Sequence, residues 1–370
     1  MAGEARFYLD ANATEPLRPE ATAAAMAAFA VVGNPSSIHG EGRAARRLLE
    51  DAREAIAGRF GAMAREVIFT SGGTEANALA IHGLSAGGTM LRGATEHAAV
   101  IAAAGEGAGV VPVAPDGRLR LDALEEMLAA ARPALVCLML ANNETGTIQP
   151  VSEAAVLCHA AGALLHVDAV QAAGRIPLDL AALGADSLAI SAHKLGGLTG
   201  AGALMLSPAA ATRLMPLHLG GGQERGRRGG TPALPAITAF AAAAVAATPG
   251  DASHLAPLRD AIEAAAVAAG GLVIGLGAAR LPNTTCLALP GVRSESQVMA
   301  LDLAGLAVSA GAACSSGKIA RSHVLEAMGL GALAGEAIRV SLPWNAGPDH
   351  VSAFADAYLA MAQRMRRRAA

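Results

Sequence analysis

Four short apolar runs in the first 200 residues each stop at polar residues, and this shared punctuation restricts the fold more than anything else in the chain. Val67-Ile68-Phe69-Thr70 runs into Ser71-Gly72-Gly73-Thr74-Glu75-Ala76, and Leu135 to Leu140 ends at Asn142-Asn143-Glu144. Ala163 to Val167 ends at Asp168, and Ser187 to Ile190 ends at His193-Lys194. Apolar runs of this length bounded by turn signals are buried strands, and Ala-rich helical stretches separate them, which is the pattern of a mainly parallel α/β sheet. Open sheets of this kind bind ligands beyond the carboxyl ends of their strands, so the four polar ends are expected to converge.

At 370 residues the chain exceeds what one hydrophobic core usually organises, and two domains are expected. Ala246-Ala247-Thr248-Pro249-Gly250-Asp251 reads as the junction, followed by one long helix and short strands around Cys286 and Ile338. Apolar residues make up 53% and aromatics only 2%, which favours Ala-faced helices on a tight sheet over an aromatic-rich sandwich. A net charge of -3 makes no electrostatic case for nucleic acid, and Arg364, Arg366, Arg367 and Arg368 read as a solvated helix end. Met1 to Asp10 lacks an export segment and Ile237 to Ala247 is too short to span a bilayer, so no membrane association is expected. Cys137, Cys158, Cys286 and Cys314 are scattered without a CxxC pair, which fits a reducing cytoplasm.

Of 28 basic Lys and Arg residues only Lys194 and Lys318 are lysine. An amine can lose its proton and form a Schiff base, whereas a guanidinium effectively cannot. A coding bias toward Arg explains the scarcity but not the position of Lys194, which sits between a buried run and the glycines Gly196, Gly197, Gly200 and Gly202. Other candidates are ambiguous alone. Ser71 to Thr74 suits an anion at a helix start as well as it suits a plain helix cap. Asp168 alone is better read as an N-cap, Gln171 is equally ambiguous, and a lone His97 is more often a surface residue. The interleaved Gly and Arg of Gly220 to Thr231 suit a backbone wrapping a phosphate or carboxylate. Cys314 lies among Gly and Ser in Ser309 to Gly317, which implies a mobile, accessible thiol, whereas Cys137 reads as core. Cys158, His159 and His166 form no spaced ligand set, so no metal site is expected.

A strand-end Lys that forms an imine, an Asp for a pyridinium nitrogen and a Gly/Thr helix start for a phosphate together are what pyridoxal 5'-phosphate demands of a protein. The added accessible Cys separates this set from an ordinary aminotransferase.

The chain resembles the cysteine desulfurases of the nitrogen-fixation and iron–sulfur-assembly type, within the class V aminotransferase family. The resemblance rests on Tyr8-Leu9-Asp10, Gly33 to His39, Phe69 to Asn77, Glu96-His97, Asn142 to Pro150, His166 to Gln171, Ser191 to Lys194, Gly220 to Thr231, Ala310 to Ser316 and Ile338 to Ser341. It implies an α/β pyridoxal-phosphate-dependent transferase of fold type I. Its large domain, with a mainly parallel sheet, would span residues 15–250. Residues 1–14 plus 251–370 would form a smaller α+β domain carrying the catalytic cysteine.

The resemblance implies that Lys194 holds the cofactor and moves the substrate Cα proton, Asp168 partners the ring nitrogen, and Gln171 bonds the ring hydroxyl. His97 would stack on the ring and transfer protons. Gly73, Thr74, Ser191 and His193 would bind the phosphate, joined by Thr231 from the partner of a homodimer. Asn34, Asn143 and Arg339 would bind the substrate L-cysteine, Arg339 through a bidentate fork. Cys314 would take the sulfur as a persulfide and pass it to a protein acceptor such as an iron–sulfur scaffold, or to a thiolation pathway. The link with iron–sulfur clusters carries a metal-binding association, although no residue is assigned as a metal ligand. The competing readings are a selenocysteine lyase or aminotransferase of the same fold, and a sulfur-carrier or regulatory relative. The latter would be expected to lack Lys194, Asp168 or Cys314. The sequence departs from the family at Leu9 to Thr14, at Leu195 to Gly200, at Gly229 and at Leu342-Pro343-Trp344-Asn345, none of them a position with an implied catalytic role.

Overall fold

A computed structural model of the chain describes residues 6–311 and 321–369; Cys314 and Lys318 lie outside the described residues. Strand β1 (Phe7–Tyr8) stands apart from the principal sheet. That sheet contains β2 (Val67–Thr70), β3 (Met90–Gly93), β4 (Gly109–Val111), β5 (Leu135–Met139), β6 (Leu164–Asp168), β7 (Ser187–Ser191) and β8 (Gly202–Leu206), in the order β2-β8-β7-β6-β5-β3-β4. Only β8 runs against its neighbours, pairing antiparallel with β2 and β7. The carboxyl ends of the other six therefore share one edge. Strands β2, β5, β6, β7 and β8 are buried along their whole length, which is why their sequences read as continuous apolar runs rather than alternating ones.

Two of the expected strands end one residue later than read, so Asp168 and Ser191 belong to β6 and β7 themselves. Asp168 caps no helix. Its Oδ1 accepts from Val170 N at 3.0 Å in the turn that follows.

Helices cover both faces of the sheet. Gly73–Ser85 packs Leu79, Ala80 and Ile81 with Ile68, Leu135, Ala189 and Leu204. On the other face Gly40–Arg59, Leu121–Ala131, Val151–Ala160 and Leu234–Ala246 bury Leu49, Ile56, Leu124, Phe240 and many alanines. The small Ala side chains let backbones approach closely, as the composition requires. One glycine matters for the site. A Cβ at Gly202, the first residue of β8, would lie 2.7 Å from Gly72 C and 2.8 Å from Ile190 O, so its absence lets the Ser71–Thr74 turn cross the strand end.

Beyond Ala246 a second set of strands forms: β9 (Leu272–Ile274), β10 (Thr284–Ala288), β11 (Leu306–Ala307), β12 (Ser309–Ala310) and β13 (Ala337–Ser341). Four of them make an antiparallel sheet ordered β12-β13-β10-β9, and β11 pairs in parallel with β1. The expected long helix is Leu255–Ala268, and the structure adds Ser294–Leu303 and the 22-residue Pro348–Ala369. Leu9, Leu255, Ile262, Leu287, Leu301, Ile338, Phe354 and Tyr358 form a separate apolar cluster. The Arg-rich end is not merely solvated, because Arg366 Nη2 donates to Ala269 O at 3.0 Å and satisfies a carbonyl where the helix Leu255–Ala268 ends. Among the described residues no helix is long and apolar enough to cross a membrane, and no group of three or more His, Cys, Asp or Glu could hold a metal.

Candidate active site

The polar strand ends converge as expected. A cavity of about 230 Å³ opens at the carboxyl edge of the sheet, lined by Gly73, Thr74, His97, Asn143, Asp168, Gln171, Ser191, His193 and Lys194 together with Asn77, Met139, Ala141 and Val170. Register explains the convergence, since Met139 and Asp168 lie side by side at the ends of β5 and β6, level with Ala189 two residues before the end of β7.

Lys194 ends a single turn that follows β7. Its Nζ donates to the carbonyl oxygens of Asn12 and, at 2.9 Å, of Ala13. The N-terminal segment thus forms one wall around the amine. His193 beside it is lowered to about 4, first by desolvation and then by the charge of Lys194, so its imidazole is neutral near pH 7. Its Nδ1 lies 3.0 Å from Thr14 Oγ1.

Asp168 is buried, and its Oδ2 accepts from Asn77 Nδ2 at 2.8 Å. Gln171 is held from both ends of its amide: Nε2 donates to Asn12 O at 3.0 Å and Oε1 accepts from Arg175 Nη1 at 2.6 Å. Arg175 in turn reaches Asn12 Oδ1 at 2.8 Å and pairs with Glu15 at 3.3 Å. Both charges of that pair are nearly inaccessible to water.

At the other end of the cavity the helix Gly73–Ser85 begins without a side-chain cap. Its first amides and dipole face the space that Gly73 and Thr74 line. His97 is no surface residue. It caps the helix Ala98–Ala104, its Nδ1 accepting from Ala99 N at 3.1 Å, so the neutral ring carries its proton on Nε2.

Three expected residues lie off the cavity of their own chain. Arg339 donates from Nη1 to Asn143 O at 3.2 Å and from Nη2 to Asp10 Oδ1 at 2.6 Å, while its buried Nε has no hydrogen-bond partner among the described residues. Thr231 lines a separate pocket with Phe69, Ser71 and Arg228. Asn34 is exposed ahead of the helix Gly40–Arg59, its Oδ1 accepting from Ser36 N at 2.9 Å. The segment Gly220 to Thr231 is tied to its own chain by ion pairs. Arg228 bonds Glu75 at 2.7 and 3.1 Å, Arg227 reaches Glu66 at 3.3 Å, and Glu224 holds Arg53 at 2.6 and 2.9 Å. The Asp10 carboxylate already occupies one arm of Arg339, so the open two-pronged fork is not present in this geometry.

The described cysteines are poor nucleophiles. Burial pushes Cys158 up to about 12 and raises Cys137 and Cys286 as well, so each is a protonated core thiol.

Asn12, Asn77, His166, Arg175 and Glu15 shape the site without having been assigned to it from sequence. A signal existed for His166, two residues before Asp168 on one strand and therefore on the same face. None existed for Asn12, whose partners are remote in sequence.

Comparison with known proteins agrees with this geometry. The family model for aminotransferase class-V matches residues 7–354. A cysteine desulfurase of Cereibacter sphaeroides is 45% identical over 338 residues, covering 87% of each chain. The X-ray structure of a NifS-like protein from Rickettsia africae aligns with a TM-score of 0.88 at 32% identity, over 97% of this chain and 99% of that one. SspA, solved in complex with cysteine, aligns with a TM-score of 0.81 at 28% identity, over 91% and 98%. The chain belongs to the class-V aminotransferase family. Within it, the chain is one of the pyridoxal-phosphate-dependent cysteine desulfurases.

Proposed function

We propose that Lys194 holds the cofactor, Asp168 partners its ring nitrogen, Gln171 its ring hydroxyl, and His97 stacks on the ring. One observation carries this assignment: the amine of Lys194 and the carboxylate of Asp168 share a single cavity with an uncapped helix start. The residues fit pyridoxal phosphate. The uncapped amides suit a phosphate dianion, and the Thr74 and Ser191 hydroxyls with the neutral His193 add donors. Gly73 leaves room there, since a Cβ would meet Val170 Cγ2 at 2.7 Å. When bound, pyridoxal phosphate supplies an electron-withdrawing ring conjugated to the substrate's amino group.

The chain's own residues do the rest. L-Cysteine is held by its carboxylate between Asn143 and Arg339, whose buried Nε has no acceptor among the described residues. Asn34 also binds the substrate. Lys194 moves the proton at the substrate Cα, and His97 transfers protons through Nε2. The Cys314 thiolate attacks the substrate sulfur. An S–S bond forms as the Cβ–S bond breaks, the carbon keeps the electron pair and is protonated, and L-alanine leaves. Cys314 keeps the sulfur as a persulfide until a protein acceptor takes it for iron–sulfur cluster assembly or thiolation. The enzyme acts as a homodimer in a reducing cytoplasm, with Thr231 serving the phosphate of the partner subunit. Residues 15–250 form the cofactor domain, and 1–14 plus 251–370 the smaller one. The separate cluster around Leu9 and Phe354 supports that division, although Leu281 packs with the larger core.

Borohydride reduction of the yellow holoenzyme should fix the cofactor on the peptide containing Lys194. Cys314→Ser should keep the colour and make almost no alanine, while Cys137→Ser, Cys158→Ser and Cys286→Ser keep turnover. After one turnover, mass spectrometry should find added sulfur on the Cys314 peptide. Added sulfur elsewhere, or full turnover in Cys314→Ser, would reject the assignment.

A further inference from the structure

A row of three buried polar side chains runs behind Asp168. Asn77 Nδ2 donates to Asp168 Oδ2 at 2.8 Å, His166 Nε2 lies 2.9 Å from Asn77 Oδ1, and His166 Nδ1 lies 2.8 Å from Ser187 Oγ. Exposure of the three is 1% or less. The fold places them with care. His166 precedes Asp168 by two residues on β6 and shares its face. Ser187 is the register partner of His166 on β7, and Asn77 lies near the start of the helix Gly73–Ser85, which packs over that face. Polar groups in such a place are costly unless bonded, and these are bonded in series.

The series has a direction. Burial lowers His166 to about 3, so its ring is neutral and carries one N–H. An Asn77 amide that donates to a carboxylate turns its Oδ1 toward His166, which puts the imidazole proton on Nε2. His166 Nδ1 must then accept from the Ser187 hydroxyl. Every hydrogen points the same way, from Ser187 through His166 and Asn77 to Asp168. The reverse order would set the Asn77 oxygen against Asp168 Oδ2, two acceptors face to face, which only a protonated Asp168 could relieve. All three members are neutral, so they support the anion without adding a positive charge that would compete with a protonated ring nitrogen.

We propose that Asn77, His166 and Ser187 are positioning residues that hold the Asp168 carboxylate aimed into the cavity, and so govern whether the ring nitrogen of bound pyridoxal phosphate is protonated. The proposal rests on the assignment of Asp168 as the ring-nitrogen partner, and its test separates the two. Holoenzyme loaded with pyridoxal phosphate labelled with 15N in the ring reports protonation of that nitrogen through its NMR shift. Asp168→Asn should move the signal to the unprotonated position; an unmoved signal would reject the Asp168 assignment and the relay with it. With that shift established, Asn77→Leu should weaken proton binding by the ring nitrogen about tenfold or more, lowering its midpoint by about one pH unit. Ser187→Ala should shift it less but in the same direction, with kcat reduced and KM for cysteine little changed. Ser187→Thr, which keeps the hydroxyl, should restore the parent signal. A parent-like signal in folded Asn77→Leu would overturn the relay. If Asn77→Leu does not fold, Ser187→Ala decides, since it removes one hydroxyl, and a parent-like signal there would overturn the relay equally.

Discussion

At the scale of one residue, Glu96 shows how burial strengthens a carboxyl's hold on its proton. It is wholly inaccessible, its Oε1 accepts from Met139 N at 3.0 Å, and its Oε2 has no hydrogen-bond partner among the described residues. Desolvation pushes it well above its ordinary value of 4.5; the Met139 amide pulls it down, and the nearby Asp168 charge reinforces the rise. A raised value means that the folded chain keeps a proton that the unfolded chain releases. Stability from this group is therefore fully present below pH 4.5 and is lost as pH rises toward the folded value. Gln carries no such penalty. Glu96→Gln should gain on the parent by up to about 1.4 kcal/mol for each pH unit above 4.5 over which Glu96 stays protonated. Urea unfolding midpoints of both proteins between pH 4.5 and 8 check this, and a constant difference would show that Glu96 folds as an anion.

At the scale of elements, the helix Gly73–Ser85 is held at its start by a carboxylate. Glu75 accepts from Arg228 and from Ser71 N, the latter at 2.7 Å. Desolvation works to raise it, but the hydrogen bonds from Arg228 and Ser71 prevail and hold it at about 2. Its contribution is present above 4.5 and lost as pH falls from there toward 2. Glu75→Gln should cost about 2 kcal/mol at pH 7 once solvent screening is allowed for, and the gap should close on acidification, as followed by thermal unfolding at pH 7, 4 and 2.5. Elements of this kind were largely legible beforehand. Val67–Thr70, Asp168 and Lys194 announced the sheet edge because a buried parallel strand must be apolar until it ends. The relay was not legible, because only register sets Ser187 beside His166. The roles proposed for Thr231 and Asn34 rest on family likeness, since nothing in their local sequence says which site they would serve. The side-chain partners of the arginines in Gly220 to Thr231 were not legible, because composition names a cation without naming its partner, and Glu75 and Glu66 belong to distant segments.

At the scale of the molecule, Asn12 joins the two apolar clusters. Its Nδ2 donates to Asn143 O at 3.1 Å and Thr284 Oγ1 at 3.0 Å, its Oδ1 accepts from Arg175, and its own N–H donates to Ser341 Oγ at 3.0 Å. Asn12→Ala would remove one buried acceptor of Arg175 and leave Asn143 O and Thr284 Oγ1 without its amide, and should lower stability by about 2–4 kcal/mol. Lys194 and Gln171 use the backbone carbonyl at that position, so the variant should still bind the cofactor. Calorimetry with visible absorbance checks both halves, and an undiminished melting temperature would contradict the linking role.

The pairing of β1 with β11, and the Asp10–Ser341 bridge beyond it, also have a temporal consequence. The segment that encloses the Lys194 amine is made before the principal sheet, yet its docking partners β11 and β13 are made after it. A growing chain can raise the principal sheet, including the short β7–β8 connection that carries Lys194, before Asn12 can settle. The pocket around Lys194 is thus expected to close only once β13 has been made, so that capture of pyridoxal phosphate follows the docking of the two segments rather than guiding the principal sheet.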